Sequence, residues 1–81
     1  MFHELKNSKK VIGTKQVKKA VQNSIAQKVY LADDAEPHII GPLKELCHQY
    51  AVEVEMIDSM KTLGEACGIE VGSAAVALLY D

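Results

Sequence analysis

Three histidines, two cysteines and one lysine-rich stretch are the groups in this 81-residue chain whose types could do chemistry. His3, His38 and His48 could act as bases or metal ligands, and Cys47 and Cys67 as nucleophiles or metal ligands. Cys47 and His48 are adjacent, so on a helix their side chains diverge by ~100° and make a poor nucleophile–base pair. Neither a nucleophile elbow nor a glycine-rich phosphate loop is present. A zinc site would need both cysteines and a distant histidine to converge, with no CxxC or HxxxH spacing to bring them together. The sequence therefore predicts neither an enzyme nor a bound metal or cofactor, and two reduced, buried, structural thiols.

The lysine-rich stretch is GTKQVKKAVQN, Gly13 to Asn23. Val17, Ala20 and Val21 recur at i, i+3, i+4 and mark the buried stripe of a helix. Thr14 is the expected cap, through its hydroxyl. Lys15 and Gln16 then fall in the first turn, where free N–H groups and a partial positive charge attract anions. Lys18 and Lys19 follow. Lysine can donate to guanine O6 or N7, glutamine can donate or accept at a base edge, and Gly13 allows another backbone to approach. The pattern fits contact with nucleic acid, but taken alone it fits better a helix kept soluble by lysines.

The overall charge is −2, but it is unevenly spread. Residues 1–30 carry seven lysines against one acid, and residues 31–81 carry two lysines against ten acids. This split fits one face for a polyanion and an acidic face that repels it, and it fits slightly better two solvated faces of unequal charge.

The elements that must position these residues alternate in period. FHELKNSKK is a short polar helix candidate, with Phe2 and Leu5 facing in. VIG is a possible strand end, and KVYLA, Lys28 to Ala32, is a β-rich run. Asp33 and Asp34 suit a turn or cap, and Pro37 suits a first helical turn. A helix follows to Tyr50, with Ile39, Leu43, Leu46 and Cys47 facing in; Gly41-Pro42 should loosen its first turn and leave it regular from Pro42. VEVEMI alternates as a half-buried strand. Ser59 can cap a short helix through Cys67, which Gly68 ends. The final IEVGSAAVALLY closes on an apolar run typical of a strand covered on both faces. One small domain over residues 1–81 follows, an α/β sandwich with helices on both sides of one sheet. No apolar run approaches the ~20 residues needed to span a bilayer, and the start lacks a signal-peptide pattern. A cytoplasmic protein is expected.

GTKQVKKAV, VYLADDAEP, LKELC and LGEACGIEVGSAAV, in this order and at this spacing, closely resemble the ribosomal-protein L-seven-Ae family of kink-turn RNA-binding proteins, nearest its small bacterial branch. The likeness runs from about Val11 to Leu79. It implies a three-layer α/β/α sandwich with a four-stranded mixed sheet. It also implies binding to RNA folded sharply at a short bulge beside tandem sheared G·A pairs, with no enzymatic activity.

Carried over by position, the family's Asn-Glu-x-x-Lys after Gly-(Thr/Ala) falls on Gly13, Thr14, Lys15, Gln16 and Lys19. Lys15 and Gln16 replace the usual Asn and Glu. Glu36 and Ile40 match positions lining the pocket for an extruded base. Met60 stands where many relatives have lysine, with Lys61 next to it. Ile69, Glu70 and Val71 match the loop that packs on the other bulge nucleotides. The implied partner is a kink-turn in ribosomal or regulatory RNA, in association with the ribosome, bound by a monomer away from any membrane. The other class left open is a protein-interaction module on the same fold that has lost RNA binding.

Overall fold

The computed structural model describes residues 8–80. The polar helix expected near the start falls mostly outside these residues; within them, Lys10 already belongs to the first strand. The order is β1 (Lys10–Ile12), α1 (Thr14–Gln22), β2 (Ala26–Ala32), α2 (Pro37–Gln49), β3 (Glu53–Ile57), α3 (Met60–Ala66) and β4 (Ala75–Leu79).

The strands form one mixed sheet in the order β1-β4-β2-β3. β4 is antiparallel to both β1 and β2, and β2 is parallel to β3. Val29, Tyr30, Leu31 and Ala32 are all buried, as are Ala75, Val76, Ala77 and Leu78. Successive strand residues point to opposite faces, so both faces of the central pair are covered. α1 packs against α2 on one face. α3 packs on β2, β3 and β4 and supplies the other cover. The chain is thus a three-layer α/β/α sandwich.

The α1 stripe Val17, Ala20 and Val21 is buried as its spacing requires. All three helices close the same way, with one residue in the left-handed region. After α1 that residue is Ser24 (φ 58°), after α2 Ala51 (φ 55°) and after α3 Gly68 (φ 79°). In each case the next amide reaches back to the final turn: Ile25 N–H to Ala20 O at 3.0 Å, Val52 N–H to Cys47 O at 2.8 Å, and Ile69 N–H to Gly64 O at 3.1 Å. At α1 and α2 these bonds satisfy carbonyls that the helix itself leaves unpaired; at α3 the Gly64 carbonyl also accepts from Cys67 N–H at 3.1 Å.

Three local expectations are corrected. Thr14 is not the cap of α1: Gly13 is, with φ 108° and no side-chain cap bond, and Thr14 is the first helical residue. The chain turns from β1 into α1 within one residue, and only glycine adopts that backbone cheaply. α2 runs unbroken from Pro37, with Pro42 inside it, instead of becoming regular only at Pro42. Pro42 removes one N–H donor, and the carbonyl deprived of it belongs to the exposed His38. The inward residue of that turn is Ile40, while Ile39 is half-buried.

Candidate nucleic-acid interface

The sheet topology decides where the singled-out residues go. β1, β2 and β3 all end at the edge of the sheet where β4 begins: Ile12 pairs with Val76, Leu31 with Ala75, and Ala32 with Ile57. The turn at Gly13, the loop of residues 33–36, the Asp58–Ser59 turn and the loop of residues 68–74 therefore gather at one end of the molecule. Backbone hydrogen bonds bind them together. Gly13 N–H donates to Ala75 O at 2.9 Å, Ala32 N–H to Ala74 O at 2.9 Å and Asp33 N–H to Ile57 O at 2.7 Å. Ser73 N–H donates to Met60 O at 3.1 Å.

On this end Lys15, Gln16 and Lys19 are exposed on α1. Lys15 and Lys19, four apart, share one helix face. Across the end lie Met60 and Val71, both apolar and both exposed, Val71 to 70%. Lys61 and Glu70 are exposed beside them, and Ile69 is half-buried against the core. Glu36 precedes α2 and is exposed, with a carboxylate oxygen 3.1 Å from His38 Nδ1. Ile40 is only 6% exposed and belongs to the core, so it can offer a ligand no more than an edge.

Two supports for this end have partners that the sequence did not reveal. Asp34 caps a helix, but not its own: its Oδ1 accepts from Met60 N–H at 2.8 Å, tying the loop before α2 to the start of α3. Ser59 accepts from Thr62 N–H at 3.0 Å in the same turn, as its position predicted. Gly64 is the second support. A Cβ there would run into the carbonyl of Val71, so a glycine in α3 lets the Val71 loop lie directly on the helix. The acid in ADDAEP and the glycine in LGEACG were the available signals, but neither says which backbone it meets.

The charge pattern corrects the sequence reading. The basic and acidic parts of the chain do not become two faces. Lys28 lies on β2 and pairs with Glu55 at 2.8 Å and Glu53 at 3.6 Å on β3. Its hydrogen bond to Glu55 is the main cause that raises its pKa above the ordinary lysine value. Conversely, Asp33, Asp34, Glu36, Asp58 and Glu70 all stand among the loops at the lysine-bearing end. Neighbouring strands and loops mix charges that the linear sequence separates.

The thiols of Cys47 and Cys67 are buried and free. Burial raises both pKa values, opposed at Cys67 by the charge of Lys10, so both thiols stay protonated and weakly nucleophilic near neutrality. Among the described residues, no group of three or more His, Cys, Asp or Glu side chains could hold a metal ion.

The family model described as the Ribosomal protein L7Ae/L30e/S12e/Gadd45 family matches residues 3–80. The chain belongs to that family. It is 46% identical over 69 residues to an RNA-binding protein of Caldanaerobacter subterraneus, covering 85% of this chain and 84% of that one. It is 45% identical over 75 residues to the RNA-binding protein YbxF of Geobacillus stearothermophilus, covering 93% and 92% respectively. Among solved structures it superposes on the Giardia lamblia 15.5kD RNA binding protein with a TM-score of 0.89 and 26% identity, over 99% of this chain and 68% of that one. A protein of unknown function from Bacillus halodurans matches with a TM-score of 0.81 and 30% identity, over 88% and 71%. These likenesses extend the resemblance in GTKQVKKAV and LGEACGIEVGSAAV to the whole fold.

Proposed function

We propose that this protein binds RNA and stabilises kink-turns, using the loop-bearing end of its sheet. The observation that carries the reading is the convergence, across one surface, of a helix start bearing Lys15, Gln16 and Lys19 and a loop presenting Val71. The family relationship and the relatives described as RNA-binding proteins support it. An A-form helix keeps its major groove too narrow for side chains to read. A kink opens the groove at the G·A pairs and splays the bulge nucleotides outward. In this reading the lysines and Gln16 meet the opened groove, while Val71, Met60 and Ile69 cover the bulge bases. The protein binds the kinked conformer better than the extended one and so shifts the population towards it. It does so as a cytoplasmic monomer without enzymatic activity, on ribosomal or regulatory RNA in association with the ribosome.

A gel shift tests this with a kink-turn duplex beside one whose G·A pairs are replaced by Watson–Crick pairs. The first is expected to bind and the second to lose most of its affinity. Equal binding, or none, would overturn the reading. The acids among the lysines favour one competitor, a protein-interaction module on the same fold, and failure on both RNAs would leave that reading standing.

A further inference from the structure

A groove of about 280 Å³ runs between α1 and α2, beside the proposed interface and outside the residues assigned to it except at one edge. Its floor is apolar: Ile39, Pro42, Leu43 and Leu46 of α2. Its rim is basic or neutral: Lys15 and Lys18 of α1, with His38 opposite. No carboxylate is among the lining residues, though that of Glu36 lies 3.1 Å from His38 Nδ1 at the rim. The edge nearest the loops is formed by Thr14 and Lys15, so the groove opens directly from the start of α1.

We propose that this groove is a subsite for one unpaired nucleotide of the same RNA, flanking the kink-turn. The inference rests on the RNA reading above. The space is smaller than the ~300–1,000 Å³ of pockets for drug-sized ligands and suits a single planar base. The apolar floor takes the face of that base, and Lys15 and Lys18 take the phosphates on either side of it. Two lysines on one rim, against the single carboxylate of Glu36 beside His38 on the other, favour an anionic occupant. The continuity through Lys15 makes that occupant a strand already held at the helix start. Because the floor is aliphatic, the contact depends little on which base enters, as for other packing-based single-strand sites. The surface therefore extends recognition from the kink to the strand leaving it.

The test uses the whole protein and a plain kink-turn RNA, together with four versions in which one strand end each carries five unpaired uridines. At least one extension is expected to tighten binding by roughly fivefold, the low end for one packed base. It should also shift the methyl resonances of Ile39, Leu43 and Leu46. The ratio of extended to plain affinity is taken within each variant, so a general loss of positive charge cancels. That ratio should fall to near one in Lys18→Gln, an exposed position that does not threaten the fold, and in Leu46→Ser. If plain RNA binds but no extension improves it or moves the groove methyls, the subsite is overturned and the kink-turn reading survives. Methyl shifts caused by an acidic apolar peptide but not by extended RNA would assign the groove to a protein partner and equally overturn it. Failure of the plain RNA to bind overturns the parent reading and this one with it.

Discussion

Lys19 and Val71 stand on opposite sides of the proposed interface and act through different physics. Lys19 is an exposed cation on α1, and Val71 is an apolar side chain that the fold leaves 70% exposed. Lys19→Ala should cost ~1–3 kcal/mol of affinity for a kink-turn RNA if it meets a base. If it meets a phosphate, the variant should also flatten the salt dependence by up to about one unit. Val71→Ala should weaken binding with almost no change in salt slope, because covering a base is not an ionic contact. Both variants should unfold at the wild-type urea concentration, since neither side chain is in the core. A salt series of affinities separates the two effects. Motif position singles out both residues, and the fold leaves both exposed. Motif position also marks Ile40, but it does not tell that the helical register of α2 leaves only 6% of that residue exposed.

At the scale of elements, the helix ends and one close approach carry the testable content. Ser59 and Gly68 were readable as the cap and stop of α3, because each acts on a backbone a few residues away. The left-handed Ala51 was not readable, since alanine carries no signal for that conformation. Ala51→Gly keeps the closing bond from Val52 N–H to Cys47 O and removes the steric penalty of an L-residue there. It should stabilise the protein by about 1 kcal/mol in urea unfolding, the left-handed penalty less the extra flexibility of glycine. Gly64→Ala should act in the opposite direction. The new methyl meets the Val71 carbonyl, which as backbone cannot move without shifting the loop. A loss of about 1–3 kcal/mol is expected, as for other overpacked sites. RNA affinity should fall with it, because that loop presents Val71. A stable Gly64→Ala variant with normal affinity would show that the loop's position matters little.

At the scale of the whole molecule, an acidic chain carries a basic helix start without separating its charges onto two faces. The succession of elements was legible as alternating helix and strand periods, but the topology and strand order were not. That order brings Asp33, Glu36, Asp58 and Glu70 to the end that carries Lys15, Lys19 and Lys61. Exposed acids stand among the lysines there, so under the proposed function long-range attraction contributes little to RNA binding and shape selects the partner. The slope of log affinity against log salt should therefore be shallow, no steeper than about −3, or one counterion for each of those lysines. A control fixes the location. Glu53 begins β3, four residues before Ile57, which places it ~13 Å along the strand from the loops. It is exposed, and its partner Lys28 keeps the closer Glu55. Glu53→Lys adds two units of positive charge to the molecule, yet it should change kink-turn affinity less than Lys19→Ala does, and leave the slope unaltered. If the protein is instead a general polyanion binder, the wild-type slope will be steep and Glu53→Lys will tighten binding to any duplex, kinked or straight. Titrations of wild type and Glu53→Lys against both duplexes, each at several salt concentrations, decide between local shape recognition and diffuse attraction.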